Sequence, residues 1–527
     1  MNKLIGFIMK WYIVLVLWFA CGFISCYDDK GNYDYREVDE LTITGIPEDA
    51  ISALYKAENL VLSPTVTSKF EGEISADDPN YEFAYYYDKN SSEEYLIASL
   101  LDSSKVKDLN IPAEITPGTY TAWFKVKDLR TNVVTSAEFK MEIITSTTKG
   151  WLVLCEEGVD RKVRVDMIGE VGSQIVTSKD VLDFLPESHG AFQLYMESNM
   201  VYTGNNPYLN IYTEEGSFRV YSKGGDFIRT SYGDPRSDEF IRVISDIIAV
   251  EDANYSNLVI TTDGDVYQRR GSNSVYDVKI NVDVPLTEPT YKMAPFVGVC
   301  WGTNAYNGVL YDQTNKKFKY FLSYAYGMVN GEKYLFDPTE PAPNMKYFDW
   351  KTGKDMVYMS GTAQGNRVYA LMKDVSGKYS IYGITTGQYR ASVTQYVARD
   401  NIEAPGLSSA TCYAFHPTLP FLFYDSGNEV YLYDMSTQSA QRVVTLGVRE
   451  KISMLKFNKL RGGGHNDTSV AQLQYKLAVG SIAADAEVGN EGILRFYDVP
   501  EFADVLTQYG VTYTGFGVIK DIAYKER

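Results

Sequence analysis

From about residue 38 onward the chain reads as short apolar runs of period two, separated by turns rich in Gly, Asn and Asp. In Ala137-Glu-Phe-Lys-Met-Glu-Ile-Ile144, Phe139, Met141 and Ile143 alternate with Lys140 and Glu142, the pattern of a half-buried strand. Leu41–Thr44, Leu60–Leu62, Tyr81–Tyr87 and Thr119–Val126 read as strands too, and Lys127–Asn132 supplies a hairpin turn. Some seven short strands within residues 38–146 predict an immunoglobulin-like sandwich.

Ser146–Gly150 is a polar hinge, and beyond it the texture changes to repeated strand-turn-strand units. Seven hairpins close through Glu156-Glu-Gly158, Glu214-Glu-Gly216, Asp263-Gly-Asp265, Thr314-Asn-Lys316, Val375-Ser-Gly377, Ser426-Gly-Asn428 and Asn490-Glu-Gly492. Gly and Asn serve in such turns because tight hairpins need positive φ. The following strands, Val430-Tyr-Leu-Tyr433 among them, recur every 48 to 64 residues, too variable for a solenoid but suited to blades with unequal loops. Both faces of that strand are apolar or aromatic, as needed where one sheet lies between two others.

The ends of this region complement each other. Val518–Tyr524 resembles the opening strands Ile244–Val250 and Ile452–Phe457 but has no hairpin after it, whereas the hairpin at Trp151–Val165 has no opening strand before it. Pairing the two in one blade closes a ring without a free edge. Two packed sandwiches would leave both ends unexplained. The expected fold is therefore all-β: an immunoglobulin/PKD-like sandwich over 38–146, then a seven-bladed β-propeller over 149–527 closed by the C-terminal strand.

The N-terminus departs from this alternation. Asn2, Lys3 and Lys10 precede an apolar run from Trp11 to Ile24 that ends at Ser25-Cys26, the plan of a secretory signal. The run is shorter than the roughly 20 apolar residues of a membrane span. Phe23-Ile-Ser-Cys26 resembles a bacterial lipobox, with Phe23 in place of the usual Leu. That resemblance implies removal of residues 1–25 and a lipid on Cys26, and residues 26–37 read as a flexible tether. Asp28 and Asp29 resemble the acidic export signal of lipoproteins that reach the outer face of the outer membrane in Bacteroidetes.

The formal charge of −18 would become more negative by two once Lys3 and Lys10 left with the signal. Such a surface repels phosphate backbones and excludes nucleic acid as a partner. Cys155, Cys300 and Cys412 sit in apolar strand-like runs and read as buried small hydrophobes; no CxxC pair supports a structural metal.

Pro117-Gly118 before Tyr120-Thr-Ala-Trp123 and Val126-Lys-Asp128 resembles the end of a PKD-type domain. With Cys26-Tyr-Asp-Asp-Lys-Gly-Asn-Tyr33 and the long β region, the chain resembles PKD-like surface lipoproteins of Bacteroidetes. The resemblance implies an accessory binding or scaffold subunit beside a starch-utilisation-type TonB-dependent transporter and its substrate-binding lipoprotein. The ligand would be an oligopeptide or oligosaccharide. It implies no catalytic residues, no metal and no cofactor.

Direct search for chemistry finds His189, His416 and His465 isolated from one another, and no catalytic motif. A propeller-type hydrolase or lyase acting on glycans or peptides is the alternative function, and an adhesion or surface-assembly protein the third. Two long loops remain, from Ser323 to Trp350 and from Lys459 to Asp467. Trp301, Tyr324, Tyr326, Tyr347 and Trp350 are the candidate ligand-binding rings, because flat aromatic faces stack on sugars and side chains. Packing between blades is the competing use of the same rings.

Overall fold

The computed structural model describes residues 39–55, 58–88, 98–102, 106–171, 174–197, 208–223, 226–233, 246–252, 256–270, 276, 279–282, 291–301, 307–322, 335–387, 392–459 and 472–525. Cys26, the tether, Tyr324, Tyr326 and most of the Gly-rich loop with His465 lie outside these residues. The described elements are β-strands apart from two single 3-10 turns, Pro343–Met345 and Leu407–Ser409. No helix of the described residues is long and apolar enough to cross a membrane.

Two compact units are present. One holds the described residues up to Ile51 with Asn59–Ile111 and Thr119–Met141; the other holds Ser52–Glu58, Pro112–Gly118 and Glu142–Arg527. In the first, Tyr81–Asp88 pairs with Gly118–Asp128 in antiparallel register, Tyr81 opposite Asp128 and Tyr87 opposite Ala122. The period-two pattern sends Phe83, Tyr85, Phe124 and Val126 inward, and all four are buried. Arg130 follows this strand, lies over the Tyr81 ring and pairs with both Asp128 and Glu71.

The second unit consists of seven successive antiparallel sheets among the described residues. The first joins the two ends of the region, in the order Gln174–Ser178, Lys162–Val171, Gly150–Glu157, Val518–Lys525. Trp151 faces Tyr524 and Val153 faces Ile522, with a bulge after Leu154. The expected pairing of C-terminal strand and N-terminal hairpin is thus present. The remaining sheets open with Ala191–Glu197, Ile247–Asp252, Asn307–Asp312, Asp355–Gly361, Tyr413–Phe415 and Glu450–Phe457.

Alternation along each inner strand explains how these sheets stack. Leu152 and Leu154 pack with Leu194, Leu209 and Ile211 of the second sheet, while Trp151 and Val153 turn the other way onto Leu494, Phe496 and Phe516 of the seventh. Val309 and Tyr311 meet Val368 and Ala370 of the fifth sheet, whereas Leu310 meets Leu258 and Ile260 of the third. Phe421 and Phe423 join Leu477 and Val479, and Leu422 and Tyr424 join Tyr369 and Leu371. Tyr212 with Val250 and Val259 fills the gap between the second and third sheets. Every sheet shares one apolar cluster with the sheet before it and another with the sheet after it, and the seventh shares one with the first.

Turn chemistry follows the sequence. Gly158, Gly264, Gly377 and Gly427 take positive φ at their hairpins, and Lys316 does so without being glycine. Gly361 has a different reason: a Cβ there would lie 1.9 Å from the Val299 carbonyl oxygen, so the close approach of two chains requires its absence.

The seam between the two ends is testable through Ile522, which is fully buried in the cluster shared by the first and seventh sheets. Ile522→Ala should cost about 2–4 kcal/mol by loss of apolar contact and an unfilled cavity. It should lower the urea midpoint of the near-UV signal, with the sheets unfolding in one transition. An unchanged midpoint would mean that the seam does not hold the unit together.

Candidate functional site

The opening strands converge on a cavity of about 380 Å³. Its walls come from 192–196, 250–251, Phe296 and Trp301, Tyr358 with 360–361, 413–415, 454–459 and 520–524, so every one of the seven sheets or the segment leading into it contributes. Backbone alternation does not by itself put charge here, yet five charged side chains line it: Glu251, Lys456, Lys459, Lys520 and Asp521. A charge inside an otherwise apolar strand requires a partner.

Two of these pairs cross between sheets, and the third stays within the first. Asp521 Oδ1 pairs with Lys456 Nζ, which also donates to the Ile522 carbonyl at 2.8 Å. Its Oδ2 accepts the Leu194 backbone N–H at 2.8 Å, tying the first sheet to the second. Lys459 pairs with Glu251, and Gln193 exchanges two 3.0 Å hydrogen bonds with the backbone of Val250. Lys520 Nζ stands 3.5 Å from Glu156, a carboxylate already gripped by Arg161 at 2.8 Å.

Tyr358 stacks on Tyr413 and Phe415, at centroid separations of 6.0 and 5.7 Å, with Phe296 edge-on at 5.7 Å. Burial first, then the charges of Glu251 and Asp521, push its phenol up to about 12 against a hydrogen bond with Ser360. It stays protonated at neutral pH. Asn458 is 5% exposed; its Oδ1 accepts the Tyr524 N–H at 3.4 Å, while its Nδ2 is buried without a hydrogen-bond partner among the described residues. A buried amide left so costs roughly 1–3 kcal/mol unless something fills it.

The candidate rings part company. Trp301 is buried and lines the cavity. Trp350, also buried, packs edge-on against Phe348 and Phe318 in the core of the fourth and fifth sheets, and its Nε1 donates to the Thr339 carbonyl at 3.0 Å. Trp350 therefore fills an interface between sheets and offers no face to a ligand. Tyr347 is 54% exposed, and neither it nor Trp350 borders the cavity. Of the residues that line it, Lys456, Lys520 and Asp521 carried one signal in the sequence, charge within apolar opening strands.

Other reactive groups are quiet. Burial pushes the thiols of Cys155, Cys300 and Cys412 up, the last to about 11, so they are protonated at neutral pH. All three are free, with Cys412 only partly buried. Among the described residues no group of three or more His, Cys, Asp or Glu is arranged to hold a metal ion. His416 is a turn residue: its Nδ1 accepts the N–H of Thr418 at 3.1 Å and of Leu419 at 2.9 Å.

Comparison with known proteins gives a partial placement. The sequence profile of the PKD-like family matches residues 26–189. No curated protein matches the chain. Among solved structures, it is similar to a quinonprotein alcohol dehydrogenase-like protein from Bacteroides thetaiotaomicron, at 11% identity over 90% of this chain and 97% of that one, with a TM-score of 0.38. A computationally designed protein, Ika8, matches at 13% identity over 71% and 89% of the two chains, TM-score 0.34. These likenesses are too distant to decide chemistry. The class established is an all-β protein with a PKD-like N-terminal region.

Burial holds the His416 imidazole down, to about 3; protonating Nδ1 would also cost the two turn hydrogen bonds it accepts. The unfolded chain binds that proton near pH 6.5, so below this value the unfolded state holds more protons and stability falls as pH drops toward 3. The slope from this group approaches about 1.4 kcal/mol per pH unit inside that window. His416→Asn, which keeps a side-chain acceptor for the turn, should flatten the dependence of urea stability between pH 6 and 4 relative to wild type. Parallel curves for the two proteins would contradict the assignment.

Proposed function

We propose that this chain is a lipid-anchored surface protein of the outer membrane that binds oligomeric nutrient, peptide or glycan, as an accessory subunit of a TonB-dependent uptake complex. In this reading the seven sheets form a closed β-propeller. The observation that carries the binding role is the cavity at the convergence of the opening strands. Its two carboxylates are held by lysines and a backbone N–H, which suits recognition by fixed groups better than acid-base turnover.

Support for the anchor is independent of the cavity. The PKD-like match begins at residue 26, the cysteine that the signal pattern offers for lipidation. A lipid there places the protein at a membrane face without a spanning segment, and one modified sulfur with two or three acyl chains holds it durably. The acidic surface suits an extracellular position among solutes and keeps copies apart.

Expression of the full chain and of Cys26→Ala in a lipoprotein-processing host tests this directly. The parent should fractionate with outer membranes and co-purify with a TonB-dependent transporter; the variant should fold, leave the membrane fraction and lose that partner. A variant that stays in the outer membrane would end the anchoring claim. Turnover of glycan or peptide mixtures by the purified chain would replace the binding role by an enzymatic one.

A further inference from the structure

We infer that one end of the first unit, formed by the turn at Lys69-Phe-Glu71 and the hairpin at Leu129–Val134, lies against the lipid surface, with Phe70, Leu129, Val133 and Val134 entering the headgroup boundary. The inference rests on the Cys26 anchor proposed above and adds a second, apolar contact to it.

Both turns belong to the first unit, and its strand pairing brings them together. Tyr81 stands opposite Asp128, where the Tyr81–Asp88 strand begins and the Gly118–Asp128 strand ends. Arg130, just beyond, donates to the Tyr81 hydroxyl at 2.6 Å and to Asp128 at 3.0 Å, and it pairs with Glu71 of the facing turn. Polar groups at this end are thus used on one another. The apolar ones are left to solvent: Phe70 is 55%, Val134 53%, Leu129 45% and Val133 40% exposed. In the second unit the most exposed large apolar residues, Val159, Val375 and Val448, stand one to a turn. Four on two joined turns make a patch, and a clustered apolar patch marks a contact surface where single residues do not.

The place where the chain enters this unit decides what the patch meets. Asp39, the first described residue, sits at the same end: its carboxylate accepts the Ser68 hydroxyl at 2.6 Å, the Lys69 N–H at 3.1 Å and the Tyr81 hydroxyl at 3.3 Å. Cys26 lies 13 positions earlier, so its lipid is tied within at most about 45 Å of this end. Toward the other end of the same sheet, Leu100 faces Tyr86, five residues along the strand from Tyr81, or about 17 Å further from that point of entry. The apolar end is therefore the one next to the anchor. The carboxylates of Asp39, Glu71 and Asp128 already have hydroxyl, amide or guanidinium partners, so the contact draws on apolar area and not on charge. Lys69 Nζ lies 5.6 Å from the Phe70 ring centroid, an ammonium that stays at headgroup level on its long stem while the ring goes deeper.

The lipidated full chain, floated with phosphatidylcholine vesicles, tests this through lipids brominated near the top of the acyl chain, which quench tryptophan on contact. Phe70→Trp should be quenched at least about threefold more strongly than Leu100→Trp, each measured against the parent's own tryptophans, because an interfacial apolar side chain lies roughly 5–10 Å into the boundary. Val134→Trp takes its place if that variant does not fold. Adding Leu129→Asp to Phe70→Trp should bring the quenching down to that of Leu100→Trp, with the circular dichroism unchanged. Equal quenching at positions 70 and 100 would overturn the inference, as would shielding of position 70 that arises only with an added transporter or with rising protein density. Flotation is a separate readout. A chain that floats with position 70 unquenched keeps its anchor and loses this contact; a chain that does not float ends the anchor reading and the inference with it.

Discussion

The antiparallel pairing of Val518–Lys525 with Gly150–Glu157 is the constraint on which the rest of the second unit depends. Without it the first sheet would show an unpaired strand edge, and the apolar face formed by Trp151, Val153 and Ile168 would lose Ile519 and Ile522. Backbone hydrogen bonds and side-chain burial act on the same residues there, so both are lost together. Because each sheet is held only by its two neighbours, a break at this seam exposes a face on each side of it. The ring of seven sheets pairs its first and last strands with one another for that reason.

The same strand also builds the cavity. Lys520 and Asp521 stand on it, Tyr524 presents the N–H that holds Asn458, and Lys456 reaches across from the seventh sheet to Asp521 and Ile522. Charge buried at a place where strands converge is costly unless paired, and two of the pairs found here, Lys456 with Asp521 and Lys459 with Glu251, each link two sheets. They therefore fix which strands meet as well as neutralising the site.

Much of this architecture was legible in the sequence because it rests on local signals. Alternation marked the strands, Gly and Asn marked the hairpins, and the mismatch between Val518–Tyr524 and Trp151–Val165 pointed to their pairing. The site was far less legible. Its residues lie at 193, 251, 358, 458 and 520, on strands brought together only by the return of the chain, so no spacing announces them. Trp350 shows the opposite failure: an aromatic ring near a long loop looks like a platform, but burial between the fourth and fifth sheets gives it a packing role that period two cannot distinguish. Trp301 was the candidate ring that does reach the cavity, and charge within the apolar strands, at Lys456, Lys520 and Asp521, was a further readable sign, since such a charge has to be answered by something distant in sequence.

Amide hydrogen exchange of the full chain tests the closing seam most directly. Backbone amides of residues 518–525 should exchange as slowly as those of Phe421–Ser426, which lie inside a central sheet, because both would open only when the whole unit does. Rapid exchange of 518–525 while 421–426 stay protected would show that the C-terminal strand is a frayed end, and the closed arrangement with its shared cavity would be wrong.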